Sequence, residues 1–279
     1  LSAGRAMARI MSLVYTVFMI VPIIAPALGT LVMTVAPWEW IFGVLGAFSF
    51  LVFMWTQFRL PQTLPEEDRR PFSLKSIREA FHAVLTNRIS FGYMIASGVI
   101  FGCLFSFIGA SEQVFDDVFG RGDRFWIWFA GIAGVLAVMN YSNSRVVDKW
   151  GMRRISHAVV LVFIALSLVN LLWMQFIGQD FWVFYILFAM TFACFGMMGA
   201  NFTSLALEPM GKIAGTANAV YGFITMTLSS LLGIVVARVF DGTVRPLLIA
   251  YVVLGLISLC VILFTEKGKL FGVGEGKEA

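Results

Sequence analysis

The sequence predicts an all-α polytopic membrane protein. Of its 279 residues, 59% are hydrophobic and 13% are charged, whereas about 25% of the residues in a soluble domain are charged. The apolar residues form blocks of roughly 20 or more, the length that a helix needs to cross a hydrocarbon core. The strand-period alternation of a transmembrane β-barrel is absent from these blocks. These properties exclude a soluble enzyme and a nucleic-acid-binding domain.

Eight apolar blocks predict eight transmembrane helices. They cover residues 10–35, 40–58, 89–114, 125–144, 155–177, 181–205, 216–240 and 247–264. Sixteen of the twenty Lys and Arg lie in the connectors on one side, which are residues 1–9, 59–88, 145–154, 208–212 and the segment after Thr265. The positive-inside rule predicts that these connectors, and with them both termini, are cytoplasmic.

One long connector divides the chain unequally. Residues 1–58 hold two predicted helices, 59–88 form the connector, 89–264 hold six helices and 265–279 form a tail. In the connector, residues from Ser73 to Leu85 carry apolar side chains at helical spacing, with Ser73 as the predicted N-cap. We expect an amphipathic helix at the membrane interface there, the alternative being a regulatory or partner-binding helix. Because the chain starts at Leu1 without an initiator Met, we also expect a fragment.

The first span contains the motif VPIIAPALGT. Pro22 and Pro26 each remove a backbone donor and predict a bent helix, and Gly29 permits close approach of a neighbouring helix. An ordinary kinked helix is the alternative, because proline is tolerated where neighbouring helices satisfy the freed carbonyls.

The connector between the fourth and fifth spans reads SRVVDKWGMRR. A short turn between antiparallel helices favours glycine with positive φ, which predicts that role for Gly151. Asp148 can cap the next helix or pair with Arg153 or Arg154, and we expect such a pair to hold two helix ends together. The alternative is that these charges serve only as positive-inside anchors.

These two motifs, together with NFTSLALEPMGKIAGTANAVYGF at 201–223 and DGTVRPL at 241–247, resemble a known transporter family. They are similar to the drug:proton antiporters of the bicyclomycin/chloramphenicol-resistance (Bcr/CflA) type, within the major facilitator superfamily. The resemblance covers the whole chain. It implies that the eight spans are helices five to twelve of twelve, that residues 59–88 are the central loop, and that the fold is a partial major facilitator fold.

Polar groups inside membrane spans are costly, so they mark candidate functional residues. Glu112, near the outer end of the third span, is the clearest carboxylate that could face a cavity and exchange protons, although its position one turn from a loop also fits a hydrated rim. Asn201 and Asn218 offer hydrogen bonds to a cavity or to neighbouring helices. The candidates for an aromatic and methionine-rich pocket are Met19, Phe105 and Phe107.

The resemblance implies proton-driven export of small hydrophobic or cationic compounds by alternating access. A dedicated metabolite or siderophore permease and an inactive truncated fragment are the alternatives. His82 and His157 lie in or beside polar loops without a second histidine at helical spacing, so we expect no metal site, no cofactor and no enzyme. We expect a multi-pass protein of the bacterial inner membrane, in contact with lipids and monomeric when full length.

Overall fold

The computed structural model describes residues 4–59 and 74–272, and this part of the chain forms nine α-helices and no strand. Their bounds are α1 (Gly4–Met33), α2 (Trp40–Arg59), α3 (Leu74–Thr86), α4 (Arg88–Gln113), α5 (Phe125–Trp150), α6 (Met152–Phe176), α7 (Phe181–Leu207), α8 (Ala214–Arg238) and α9 (Arg245–Thr265). Seven helical segments are long and apolar enough to cross a membrane. The first predicted span, 10–35, begins inside α1 and ends two residues beyond it; the 30 residues of α1 measure about 45 Å along the axis. The predicted all-α polytopic membrane fold is confirmed.

Several helices extend beyond the apolar blocks that predict them. α5 continues six residues past the predicted end at 144 and stops at Trp150, and α7 continues past 205 to Leu207. Hydropathy marks the part of a helix that suits lipid, whereas polar residues such as Arg145 and Asp148 can stay in the same hydrogen-bonded helix outside it. α4 is extended by a π-helical turn at Val114–Val118.

The helix in the long connector packs against the bundle. α3 contacts α4 and α8, and it buries Ala80 and Val84. The predicted N-cap, Ser73, lies outside the described residues. Asn87 ends the connector and caps α4, because its side-chain oxygen accepts a hydrogen bond from the backbone N–H of Ser90 at 3.0 Å. We call the bundle end where α4 and α6 begin the basic end.

The six helices from α4 onward enclose an aromatic core. α4 packs against α8 and α9, α7 packs against α5 and α6, and α1 lies against α5 and α7. The ring of Phe188 lies 5.0 Å from that of Phe107 and 5.3 Å from that of Tyr251, measured between centroids. Such aromatic pairs add about 0.5–1.5 kcal/mol each beyond the area they bury. Phe107 therefore belongs to this packed core and lies outside the large cavity described below.

Glycines shape two turns of the bundle. Gly151 joins α5 to α6 with φ of 77°, a conformation that favours glycine. Gly242, with φ of 80°, lies before α9 in a turn where Asp241 Oδ1 accepts hydrogen bonds from Thr243 N and Oγ1 at 3.0 and 2.6 Å. These hydrogen bonds from Thr243 lower the pKa of Asp241 below its usual value.

A third glycine brings two helices into backbone contact. A Cβ atom added to Gly196 of α7 would lie 2.7 Å from the carbonyl oxygen of Leu136 and 2.9 Å from the backbone nitrogen of Asn140, both on α5. Backbone atoms cannot turn aside as a flexible side chain can. The contact therefore depends on glycine, as is common where membrane helices pack closely.

We expect Gly196→Ala to separate α5 from α7 and to lower the free energy of unfolding by about 1–3 kcal/mol, the usual cost of overpacking. The matched control is Gly134→Ala on α5, where an added Cβ meets no described atom within 4 Å. Thermal unfolding of the purified protein in detergent measures both. Equal melting temperatures for the two variants would contradict the close contact.

Candidate functional site

A cavity of about 550 Å³ lies between α1, α4, α7 and α8. This volume is within the range of small-molecule sites, about 300–1,000 Å³. None of the described lining residues is charged. They are Met11, Val14, Tyr15, Phe101, Leu104, Phe105, Ile108, Thr203, Asn218, Tyr221, Gly222, Thr225, Met226 and Ser229.

The cavity has one apolar and one more polar wall. Phe101, Phe105 and Ile108 recur every three or four residues on α4, so they share one face of that helix. The same spacing on α8 places Asn218, Tyr221, Thr225 and Ser229 on its cavity face. The site therefore offers an apolar surface beside a row of uncharged hydrogen-bonding groups.

Four hydroxyls link the helices on the side of the cavity nearer the basic end. They belong to Tyr15 of α1, Thr203 of α7, Tyr221 of α8 and Ser97 of α4. Oxygen-to-oxygen distances are 3.1 Å for Tyr15–Thr203, 2.9 Å for Thr203–Tyr221 and 2.6 Å for Tyr221–Ser97. Thr203 Oγ1 also contacts the carbonyl oxygen of Gly199 at 2.9 Å. Each of the four hydroxyl groups can therefore donate its proton to an acceptor in this row.

A buried amide pair lies on the same side of the cavity. Asn143 of α5 and Asn201 of α7, both 0% exposed, exchange two hydrogen bonds: Asn143 Nδ2 donates to Asn201 Oδ1 at 3.1 Å, and Asn201 Nδ2 donates to Asn143 Oδ1 at 3.0 Å. Asn143 Nδ2 also donates to Ser12 Oγ of α1 at 2.7 Å. This pair fastens α1 to the six-helix bundle.

An ion pair lies one turn farther toward the basic end. Arg9 Nη1 of α1 is 3.5 Å from Asp148 Oδ2 of α5, and both side chains are about half exposed. The structure therefore differs from the expected pairing of Asp148 with Arg153 or Arg154. Arg153 has other partners, and Arg154 is exposed. The difference arises because α1, which is distant in sequence, lies beside α5.

Arg153 lies between two carboxylates at the basic end. Its Nη2 is 3.2 Å from Glu208 Oε2, which follows α7, and its Nε is 3.1 Å from Glu266 Oε1, which follows α9. The side chain of Arg153 is only 12% exposed. Tyr93 of α4 donates its hydroxyl proton to the same Glu266 oxygen at 2.8 Å. The cluster thus joins the ends of α4, α6, α7 and α9.

His157 extends this cluster into the tail. Its Nδ1 accepts a hydrogen bond from the backbone N–H of Phe271 at 2.9 Å, so the proton of the neutral ring is on Nε2. Nε2 lies 3.0 Å from the Tyr93 oxygen and can donate to it. The sequence places His157 in or beside a polar loop, but the residue is 0% exposed, because α6 begins at Met152 and the tail covers it.

The structure brings only part of the predicted site together. Phe105 and Asn218 line the cavity, and Asn201 lies in the buried amide pair. Glu112 is exposed, one turn beyond Ile108 on the same face of α4.

The proline motif of the first span lies in a continuous helix. α1 runs unbroken through Pro22 and Pro26, and a Cβ added to Gly29 meets no described atom within 4 Å. The side chains of Met19, Pro22 and Pro26 lie outside what is described.

Sequence reasoning missed several residues of this region. Tyr15 and Thr203 are hydroxyls in apolar spans without any local motif. Tyr221 and Thr225 could have been found, because with Asn218 they form a polar stripe at helical spacing. Asn143 could also have been noticed, since an asparagine that near a membrane span needs a hydrogen-bonding partner.

Comparison with known proteins agrees with this architecture. The family model described as Major Facilitator Superfamily matches residues 1–234. The chain is 26% identical over 268 residues to the bicyclomycin resistance protein homolog of Haemophilus influenzae, covering 95% of this chain and 66% of that protein. It is 28% identical over 237 residues to the MFS-type transporter YdgK of Bacillus subtilis, covering 82% and 57%.

A third relative has a related name. The chain is 25% identical over 269 residues to the multidrug resistance protein MdtL of Escherichia coli, covering 95% of this chain and 66% of that protein. The chain thus spans less than two thirds of the length of each of these relatives: 66% of two of them and 57% of the third. The resemblance that the sequence motifs indicate is confirmed, and the chain belongs to the Major Facilitator Superfamily.

Proposed function

We propose that the protein is a proton-coupled exporter of small hydrophobic or cationic compounds that works by alternating access. The observation that carries the proposal is the cavity of about 550 Å³ between α1, α4, α7 and α8. Its aromatic wall suits apolar compounds, and its hydrogen-bonding wall fixes their orientation. Relatives named for bicyclomycin resistance and multidrug resistance support export as the direction.

Polar contacts of α1 lie on one side of the cavity. The Tyr15–Thr203, Ser12–Asn143 and Arg9–Asp148 contacts all join α1 to α5 or α7 near the basic end. Each contact is polar, and an exposed ion pair contributes only about 0–1 kcal/mol. Such contacts can break and form again as the two parts of the transporter rock against each other, which is what alternating access requires.

We assign the basic end to the cytoplasm of a bacterial inner membrane, because its connectors carry most of the Lys and Arg. Residues 1–58 then belong to one half of the transporter and residues 89–264 form the other half. Residues 59–88 are the loop between the halves, and residues 265–279 are a cytoplasmic tail. We infer that the contacts of α1 close the basic end and that the cavity is in the outward-facing state.

For proton coupling we propose Glu112. It continues the face of α4 that carries Phe105 and Ile108 in the cavity, one turn nearer the outer end. A carboxylate there attracts a bound cation when ionised and loses that attraction when protonated. Competition between the cation and the proton gives the exchange that an antiporter needs.

We expect Glu112→Gln to weaken export of cationic compounds more than that of neutral ones, and to flatten the pH dependence of cation binding. The matched control is Asp117→Asn, another exposed carboxylate, which lies in the following turn. Efflux of ethidium and of chloramphenicol from intact cells provides the comparison. Unchanged export of both compounds by Glu112→Gln would remove this residue from the mechanism.

The function itself is tested with the complete gene product in cells that lack their own exporters. We expect lower ethidium accumulation than in cells with empty vector, and we expect an uncoupler to abolish the difference. Phe105→Ala should reduce export at equal protein level, because it removes part of the apolar wall. Accumulation equal to the vector control, or uptake of metabolites or siderophores in its place, would contradict the proposal.

A further inference from the structure

The polar wall of the cavity contains a buried hydroxyl that makes no well-formed hydrogen bond. Thr225 is 6% exposed and lines the cavity, but its Oγ1 has no hydrogen bond of good geometry to a described residue and interacts only weakly with the Tyr221 hydroxyl. Other buried hydroxyls in these helices donate to the carbonyl one turn earlier, as Ser167 does to Phe163 and Thr191 to Leu187. Since buried polar groups are normally paired, the Oγ1 of Thr225 calls for an explanation.

The neighbours of Thr225 already have partners of their own. The Tyr221 hydroxyl, one turn earlier, is bonded to Ser97 at 2.6 Å and to Thr203 at 2.9 Å, so its weaker interaction with Thr225 leaves Thr225 Oγ1 able to bond a ligand. Ser229 Oγ, one turn later, contacts the carbonyl oxygens of Thr225 at 2.6 Å and Gly98 at 3.1 Å. Other buried atoms without a partner are outside the cavity lining, on Ser90, Trp128, Ser156, Asn170 and Ser204.

The arrangement of the two walls indicates what would satisfy this hydroxyl. Phe101 and Phe105 of α4 form an apolar surface in the same cavity. Asn218 lies two turns before Thr225 on the polar wall, about 10 Å along the helix axis. A compound with one apolar face and hydrogen-bonding groups along one edge would contact both walls.

We propose that Thr225 determines which compounds the transporter prefers, by hydrogen-bonding a hydroxyl, amide or carbonyl group on the edge of a bound amphipathic compound. The apolar face of that compound lies on Phe101 and Phe105. This inference rests on the proposed function, because it assumes that the cavity holds the exported compound. Since the described lining carries no charge, the contact recognises hydrogen-bonding groups independently of the charge of the compound.

The test is equilibrium binding of two probes to the purified complete gene product. Chloramphenicol is aromatic and carries hydroxyls and an amide, whereas tetraphenylphosphonium is aromatic without a hydrogen-bonding group. Thr225→Val replaces the hydroxyl by a methyl group of similar size. We expect the Kd for chloramphenicol to rise about 3- to 10-fold, the effect of one lost hydrogen bond, with the Kd for tetraphenylphosphonium unchanged.

Three further variants make the result specific. Thr225→Ser keeps the hydroxyl and should restore chloramphenicol binding. Thr227→Val makes the same substitution on an exposed position of α8 outside the cavity lining and should leave both Kd values unchanged. Thr225→Ala, which also lacks the hydroxyl, replaces Thr225→Val if thermal unfolding shows that the valine variant folds poorly.

The other outcomes overturn the inference in distinguishable ways. Equal weakening of both probes would mean that Thr225 only shapes the cavity. Unchanged chloramphenicol binding in Thr225→Val, with both probes still weakened by Phe105→Ala, would reject the Thr225 contact and leave the proposed function standing. Failure of the unsubstituted protein to bind either probe would reject the proposed function and the inference together.

Discussion

Arg153→Met is expected to lower the free energy of unfolding by up to about 3–5 kcal/mol, because it leaves two partly buried carboxylates without their cation. The side chains of Arg153 and Glu266 are 12% and 13% exposed, and that of Glu208 is 30% exposed. Without the guanidinium, two negative charges face each other where water screens them poorly. Thermal unfolding in detergent measures the loss.

Two variants control for this result. Arg154→Met removes a neighbouring exposed cation and should change the melting temperature little, as is usual for exposed charges. Adding Glu208→Gln and Glu266→Gln to Arg153→Met removes the unpaired charges and should recover much of the loss. Equal melting temperatures for Arg153→Met and Arg154→Met would show that the cluster does not hold the four helix ends.

Asn143→Leu is expected to have the second largest effect. It deprives Asn201 of both reciprocal hydrogen bonds and Ser12 of its donor, and each buried group left unpaired costs about 1–3 kcal/mol. The loss includes the attachment of α1, so the basic end should open more readily. We expect a lower melting temperature and faster labelling of a cysteine introduced at Ala8 of α1, which is 0% exposed, measured in a background without the native cysteines.

The control for this prediction lies one turn away on the same helix. Asn140 is 2% exposed, and its side chain donates to Leu136 O within α5, so Asn140→Leu should leave α1 attached. Asn143→Leu combined with Asn201→Leu should recover stability, because it removes both amides. A melting temperature for Asn143→Leu equal to that for Asn140→Leu would contradict the role of the amide pair.

The features that depend on nearby residues could be predicted from the sequence. The apolar blocks identify the spans because each helix must itself match the membrane. The connector alone predicts a tight turn at Gly151. Residue type alone indicates Phe105 and Asn218 as candidates, and both line the cavity.

The partners across the bundle could not be predicted in this way. Arg153 is 55 residues from Glu208 and 113 from Glu266, and nothing in the connector distinguishes these carboxylates from Asp148. Asn143 and Asn201 are 58 residues apart. Their pairing depends on which helices are neighbours, and the closeness of α5 and α7 depends on Gly196.

A thiol placed inside the cavity can report whether an exported compound occupies it. Met226 lines it and is 61% exposed, so Met226→Cys, in a background without Cys103, Cys194 and Cys260, gives a thiol inside the site. We predict that ethidium slows the reaction of this thiol with a maleimide but leaves Gln179→Cys, in the exposed loop between α6 and α7, unaffected. Equal rates at Met226→Cys with and without ethidium, in a variant that still exports ethidium, would contradict the assignment of the cavity as the transport site.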